Sequence, residues 1–132
     1  MKEIWFDGRF INPITPDGIT SFSIGLVSEL SRLMHVNVLI HLDAQRNLLP
    51  ENVSFLKVND PTSIQELTLA KRLNSKGIGV LVSPMQTTSS LGRNFKLVLT
   101  LHDLIYYRHR TPPRAFSAPV RLGWLLFHLS YF

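Results

Sequence analysis

The chain has 132 residues, of which 45% are hydrophobic and 17% are charged, with 7 glycines and 8 prolines. This composition is that of a globular protein and excludes disordered and collagen-like classes, and the length predicts one domain over residues 1–132. The net charge of +5 is unevenly spread, because residues 1–66 carry net −3 and residues 67–132 carry net +8. The second half therefore suits an anionic partner: a phosphorylated ligand, a nucleic acid or an acidic membrane surface.

The chain contains no cysteine, which excludes a disulfide framework and thiolate chemistry and fits a reducing compartment. Its first residues lack the apolar run of a secretory signal, since only Ile4, Trp5 and Phe6 are consecutive. The longest hydrophobic stretch, 122–129, is well short of the ~20 residues that a spanning helix needs. We therefore expect a soluble, cytoplasmic protein, with the inner membrane surface as the alternative location.

Two short apolar clusters, 4–6 and 9–11, predict a first extended segment that ends at the turn residues around Gly18. After Gly18 the apolar residues recur every three or four positions and predict an amphipathic helix of about 14–16 residues. Its predicted apolar face consists of Ile19, Phe22, Leu26, Leu30 and Leu33. The β-branched run 36–40 follows as a buried strand.

Residues 53–58 alternate in polarity and predict a third strand. A second helix is expected to begin at 60–63, where Ser63 and Glu66 have the spacing of a capping box, and to end at Gly77. Its predicted inner face consists of Ile64, Leu67, Ala70 and Leu73.

Two further apolar runs, 78–82 and 96–101, predict a fourth and a fifth strand, and a final helix is expected from Ser117 onward. Strands without a polar face indicate a sheet that is covered on both sides. The sequence therefore predicts an α/β fold, a three-layer Rossmann-like domain with a mainly parallel sheet. Because the chain stops at Phe132 inside this apolar helix, without a capping residue, we expect it to be truncated.

Ligands of open parallel sheets bind beyond the carboxyl ends of the strands, and three segments are predicted to lie there. The first is 16–21, where the N–H groups of a helix N-terminus attract phosphate or carboxylate and Gly18 permits close approach. An ordinary turn in which Asp17, Thr20 or Ser21 caps the helix is the favoured alternative for this segment alone. The chain has neither a G-x-G-x-x-G motif nor a P-loop lysine, which disfavours dinucleotide and NTP sites.

The other two segments follow the fourth and fifth strands. Ser83 begins a hydroxyl-rich loop that suits a polyol ligand or, equally, solvent. His102 and Asp103 follow the fifth strand, where a histidine can donate a hydrogen bond or carry a proton. Because neighbours in an extended segment point to opposite sides, these two residues are not expected to form a dyad. A structural histidine bonded to the backbone is the alternative.

Metal and serine chemistry are not expected, since the other four histidines lack metal-ligand spacing and no G-x-S-x-G elbow occurs. Arg108 and its neighbouring arginines flank Tyr106 and Tyr107, a mixture of cations and aromatic rings that can grip nucleic acid. No recognition motif accompanies it, so nucleic acid is not the favoured partner. The apolar helix in 117–132 suits self-association, contact with a membrane surface or packing against a missing partner segment.

Taken in order, these motifs resemble a known enzyme family. They are Arg9-Phe10 after the first strand, Asp17-Gly18-Ile19-Thr20-x-Phe22 at the first helix, Ser83-Pro84 after the fourth strand and Thr100-Leu101-His102-Asp103-Leu104-Ile105 after the fifth. Over about residues 3–131 they resemble the N-terminal domain of family 4 (group 1) glycosyltransferases, and the last motif is the most specific. These enzymes have the GT-B fold, in which two Rossmann-like domains face each other across a cleft.

The resemblance implies that this chain is the acceptor-side half of an enzyme that transfers a sugar from a nucleoside diphosphate sugar to a hydroxyl acceptor. It implies a catalytic role for His102, which would face the transferred sugar, and a position for Gly18 near the donor diphosphate. The other expected substrate-binding residues are Thr20, Ser83, Asp103 and Arg108. No cofactor or metal is implied, since N–H groups and cations would stabilise the phosphates.

Two departures from the family pattern matter. The family commonly has two glycines where this chain has Asp17-Gly18, and the C-terminal donor domain with its Glu-x₇-Glu element is absent from these 132 residues. We therefore expect the chain alone to be inactive. Two other classes stay open: a non-catalytic module that binds a second polypeptide, and a basic nucleic-acid-binding domain.

Overall fold

The protein, seen in a computed structural model, is described over residues 3–102 and 117–129. In chain order the elements are β1 (Glu3–Asp7), α1 (Gly18–Leu33), β2 (Val36–Ile40), a 3-10 helix (Asp43–Leu48), β3 (Ser54–Lys57), α2 (Glu66–Leu73), a 3-10 turn (Asn74–Lys76), β4 (Ile78–Ser83), β5 (Lys96–Leu99) and α3 (Ala118–Leu129). The five strands form one sheet in the order β3-β2-β1-β4-β5, and all neighbours are parallel. The predicted α/β fold with a parallel sheet is confirmed.

The sheet separates two hydrophobic clusters. Successive side chains of a strand point to opposite faces, so Trp5 and Phe6 of β1 belong to different clusters. Trp5 packs in a cluster with Leu69 of α2, and Phe6 packs in a cluster with Val27 of α1. Helices therefore cover both faces, which explains why all of β2 is buried and why its sequence shows no polar alternation.

The buried face of α1 differs from the predicted one. The helix begins at Gly18 as expected, but its buried residues are Thr20, Ser23 and Val27. Phe22 is 38% exposed and Leu33 is 78% exposed. Three bulky residues of the helix, Ile24, Leu26 and Leu30, are partly buried and pack against the cluster that contains Val27. The prediction that Phe22 and Leu33 belong to the core was wrong.

The start and inner face of α2 also differ from prediction. The helix begins at Glu66, and its N-cap residue, Gln65, makes no side-chain capping bond, so the predicted capping box does not form. Ile64 is 82% exposed and Leu67 is exposed as well, whereas Glu66 is fully buried. The face of α2 that points inward therefore differs from the predicted face, because Glu66 accepts hydrogen bonds from the buried Arg9. The α-helix ends at Leu73, earlier than predicted, and the 3-10 turn Asn74–Lys76 continues it to Gly77. Gly77 adopts the left-handed conformation at φ +73° and ends this helical segment.

In the part of the chain that the structure describes, no helix combines the length and the apolar character required to cross a membrane.

Candidate functional site

The carboxyl ends of the five parallel strands lie along one edge of the sheet, and the predicted site residues of the described chain follow three of these ends. Gly18 opens the helix after β1, Ser83 is the last residue of β4, and His102 comes three positions after β5. The ends of β4 and β5 are linked directly, since both the backbone N–H and the hydroxyl of Thr100 donate to the Ser83 carbonyl, each at 3.0 Å. Thr20 lies in the first turn of the helix that Gly18 opens, so four of the six predicted site residues lie at this edge.

The N-terminus of α1 is capped by its own side chains. Asp17 Oδ1 accepts the backbone N–H of Thr20 at 2.7 Å, and this hydrogen bond lowers the pKa of the Asp17 carboxyl below its ordinary value of 3.8. Thr20 is buried, and its hydroxyl accepts the backbone N–H of Asn12 at 2.8 Å. Gly18 differs from both, because a Cβ placed on it meets no atom within 4 Å. Open space therefore lies beside the first residue of the helix.

Ser83 is buried, and its hydroxyl holds a turn. Ser83 Oγ lies 2.6 Å from the hydroxyl of Thr88 and 2.8 Å from the Met85 carbonyl oxygen, and it accepts the Met85 N–H at 3.1 Å. The side chain is fully shielded from solvent. In this arrangement it shapes the loop after β4 and does not reach the surface where a ligand arrives.

His102 is exposed and has two contacts that fix its ring. Its Nε2 lies 2.6 Å from the carbonyl oxygen of Pro84, and since a carbonyl only accepts, the ring proton is on Nε2. The ring of Phe22 meets it edge-on, with centroids 5.4 Å apart and an interplanar angle of 88°. We call Gly18, Phe22 and His102 the rim. The remaining predicted site residues, Asp103 and Arg108, lie outside the described residues.

The same edge of the sheet holds a cluster of buried charges that the motifs did not reveal. Arg9 Nε and Nη2 donate to the two oxygens of Asp7, each at 2.8 Å. Its two terminal nitrogens also donate to the two oxygens of Glu66, Nη2 to Oε1 at 2.9 Å and Nη1 to Oε2. All three side chains are completely shielded from solvent. We call Asp7, Arg9 and Glu66 the ion network.

Neutral groups complete the ion network. Glu66 also accepts the Ser89 backbone N–H at 2.9 Å and the Asn59 side-chain amide at 2.9 Å, and Asp7 accepts the Thr88 hydroxyl at 2.8 Å. Burial disfavours the charged form of Arg9, but the carboxylates of Asp7 and Glu66 outweigh it and raise the pKa of the guanidinium above its ordinary value. A buried charge needs this number of partners, because an unpaired one costs several kcal/mol.

The backbone around Arg9 explains why the predicted first strand is shorter than expected. β1 ends at Asp7, and Gly8 then passes so close to β2 that a Cβ on it would lie 2.6 Å from Val38 Cγ1 and 3.0 Å from the Leu39 carbonyl oxygen. The chain turns at Arg9, and the buried side-chain amide of Gln45 donates to the Arg9 carbonyl at 3.0 Å. The extended conformation predicted for 9–11 was therefore wrong for Arg9, which turns its side chain inward.

Within residues 3–102 and 117–129, no three His, Asp or Glu side chains are grouped so that they could hold a metal ion. An open groove of about 570 Å³ lies elsewhere, at the amino-terminal ends of β4 and β5, and is lined by Gly79, Val80, Asn94, Phe95 and Lys96. It is at the opposite end of these strands from the rim. We regard the rim as the better candidate, because ligands of parallel sheets bind at the carboxyl ends.

Comparisons with protein-family models, with curated proteins and with solved structures gave no match for this chain. The rim combines the N–H groups of a helix terminus with an exposed imidazole. Such a pair can bind phosphate oxygens and sugar hydroxyls.

Proposed function

We propose that this chain is the acceptor-side domain of a retaining GT-B glycosyltransferase of the family 4 (group 1) type. It would transfer a sugar from a nucleoside diphosphate sugar to a hydroxyl acceptor when a donor domain completes the cleft. The observation that carries the proposal is the ring contact between Phe22 and His102. It brings together, at the carboxyl edge, two of the four motifs that carry the resemblance, one of which is the most specific.

The geometry of the rim supports each proposed role. The open space beside Gly18 leaves room for a diphosphate oxygen against the N-terminus of α1, where the helix dipole favours negative charge. The His102 ring, fixed at Nε2 by the Pro84 carbonyl, carries its free lone pair on Nδ1 in the neutral form and can accept a sugar hydroxyl. Thr20 and Ser83 take supporting roles, since their hydroxyls hold the two loops that frame the rim.

The test pairs this chain with a donor half. The coding sequence that follows or adjoins the chain is searched for a second α/β domain with a Glu-x₇-Glu element, and the two are produced together. Product formation from a panel of nucleoside diphosphate sugars is followed by mass spectrometry. We expect transfer by the pair and none by the 132-residue chain alone, because half a cleft cannot position both reactants.

Two histidine variants sharpen this test. His102→Ala should lower the turnover of the pair on the order of 100-fold with little change in the urea midpoint. His35→Ala is the matched control, since His35 is also exposed and its Nε2 lies 3.0 Å from the Ser54 hydroxyl, far from the rim. Wild-type turnover in His102→Ala, or sugar transfer by the isolated chain, would contradict the proposal.

A further inference from the structure

We propose that the buried pair of Arg9 and Asp7 positions the His102 imidazole, acting through Thr88, Ser83 and the peptide group that joins Pro84 to Met85. The inference rests on the proposed role of His102 and adds positioning residues for that same site. Arg9, Asp7 and Thr88 never reach the ligand.

The relay begins with a carboxylate that cannot rotate. Arg9 binds both oxygens of Asp7 through two parallel hydrogen bonds of 2.8 Å, a bidentate geometry that fixes orientation as well as distance. Asp7 Oδ2 then accepts the hydroxyl of Thr88 at 2.8 Å. The position of Thr88, in the loop after β4, is therefore set by a charge pair at the end of β1.

The donor and acceptor in the next two hydrogen bonds follow from the number of hydroxyl protons. Because the Thr88 hydroxyl donates to Asp7, its oxygen accepts in the 2.6 Å contact with Ser83. The single proton of the Ser83 hydroxyl is therefore shared between the Thr88 oxygen and the Met85 carbonyl oxygen, which lies 2.8 Å away. The Ser83 oxygen in turn accepts the backbone N–H of Met85 at 3.1 Å. Hydrogen bonds that run in one direction strengthen one another. The chain of donors thus leads from the Met85 amide to the Asp7 carboxylate.

The last step uses the planarity of the peptide bond. The N–H of Met85 and the C=O of Pro84 belong to one planar trans unit and point in opposite directions. Fixing the N–H therefore fixes the carbonyl, whose oxygen lies 2.6 Å from His102 Nε2. The carbonyl holds the neutral ring in its Nε2–H form, with the lone pair on Nδ1. An imidazole without this support is free to exchange between its two neutral forms.

The experiment measures that ring directly, in the full chain without any ligand. The protein is labelled with ¹⁵N-histidine, and the ring nitrogens are recorded at a pH of about 8.5, where histidine is neutral. The His102→Gln variant identifies the signals of His102. We expect one protonated nitrogen, Nε2, and one unprotonated nitrogen, Nδ1, with widely separated shifts.

Two substitutions at Thr88 then interrupt and restore the relay. Thr88→Val keeps the branched shape and removes the hydroxyl, and it should reduce the separation of the His102 shifts to less than half. Thr88→Ser keeps the hydroxyl and should restore the separation. Leu73→Ala is the control for general loosening, since Leu73 is a buried core residue of α2; it should lower the urea midpoint and leave the His102 shifts in place.

Three results would overturn the relay. They are wild-type shifts in Thr88→Val, an equal loss of separation in Leu73→Ala, and a wild-type ring protonated at Nδ1. The third needs no variant, so the test holds even when Thr88→Val does not fold. If the relay is confirmed in this chain but its pair with a donor half transfers no sugar, only the proposed function is refuted, because this measurement uses neither donor nor acceptor.

Discussion

The ion network and the rim lie on the same edge of the sheet but differ in almost every physical respect. The ion network consists of three charges that are shut off from water and bonded to one another. The rim consists of a glycine, a phenyl ring and an imidazole with free space or solvent beside them. The charged residues, which chemistry would first suggest as catalytic, are therefore out of a ligand's reach. They bond to Thr88 and to the Ser89 N–H in the loop after β4.

The largest expected effect is the loss of the arginine from the ion network. Arg9→Met leaves two carboxylates buried without a cation, and we expect it to lower the free energy of unfolding by about 3–5 kcal/mol. The matched control is Arg32→Met. Arg32 pairs with Glu29 at 3.3 Å, but both side chains are at least 70% exposed, so its loss should cost less than about 1 kcal/mol.

Urea denaturation measures the unfolding free energy of both variants. Similar costs for Arg9→Met and Arg32→Met would mean that the ion network is hydrated in solution, and the contrast between network and rim would disappear.

A smaller effect on stability is expected from substitution of two glycines, Gly8 next to the ion network and Gly18 in the rim. Gly8→Ala places a Cβ 2.6 Å from Val38 Cγ1 and 3.0 Å from a backbone oxygen of β2, and we expect a loss of about 1–3 kcal/mol from this overpacking. Gly18→Ala meets open space at the start of a helix, so stability should be unchanged or rise by up to about 1 kcal/mol. Thermal unfolding of the two variants compares them, and a destabilised Gly18→Ala would show that the space beside α1 is filled.

The smallest effect is the loss of unfolding free energy at acid pH that comes from the N-cap of α1. The pKa of Asp17 is lower in the folded chain than its ordinary value of 3.8, because its carboxylate accepts the Thr20 N–H. Its stabilisation is therefore complete above pH 3.8 and is lost as the pH falls through the lower, folded value. Asp17→Ala should cost about 1 kcal/mol at neutral pH.

Asp17→Asn isolates the charge, since asparagine caps a helix without ionising. The difference in unfolding free energy between wild type and Asp17→Asn should be constant near neutral pH and should shrink below pH 3.8. A difference that grows on acidification would contradict the assigned cap.

The fold could be predicted because its determinants are local. Runs of β-branched residues marked the strands, Asp17 and Gly18 marked the start of α1, and Gly77 marked the end of the 3-10 turn that follows α2. The rim was predictable to the extent that β-strand ends in a parallel sheet meet at one edge. The contact of Phe22 with His102 was not, because it depends on how α1 is rotated.

The ion network escaped prediction for a different reason. Glu66 has the same spacing from Ser63 whether it caps a helix or turns inward, and only a partner 57 positions away decides between the two. The one available signal was the placement of Asp7 directly after an apolar strand, with Arg9 two residues later. Opposite charges at a strand end indicate a buried pair. Their third partner, Glu66, could not be predicted, because only the packing of α2 brings it to Arg9.

The position of β1 has a consequence for the order of folding. It is the first strand along the chain and the middle strand of the sheet, and Trp5 pairs with Leu81 of β4 as well as with Asn37 of β2. At a synthesis rate of roughly 5–20 residues per second, β1 waits on the order of 4–15 s for that second neighbour. Contacts between such distant positions slow the search for the native state. The strand that carries Asp7 thus gains its second neighbour only when β4 arrives beside it, and β4 in turn gains its own when β5 follows.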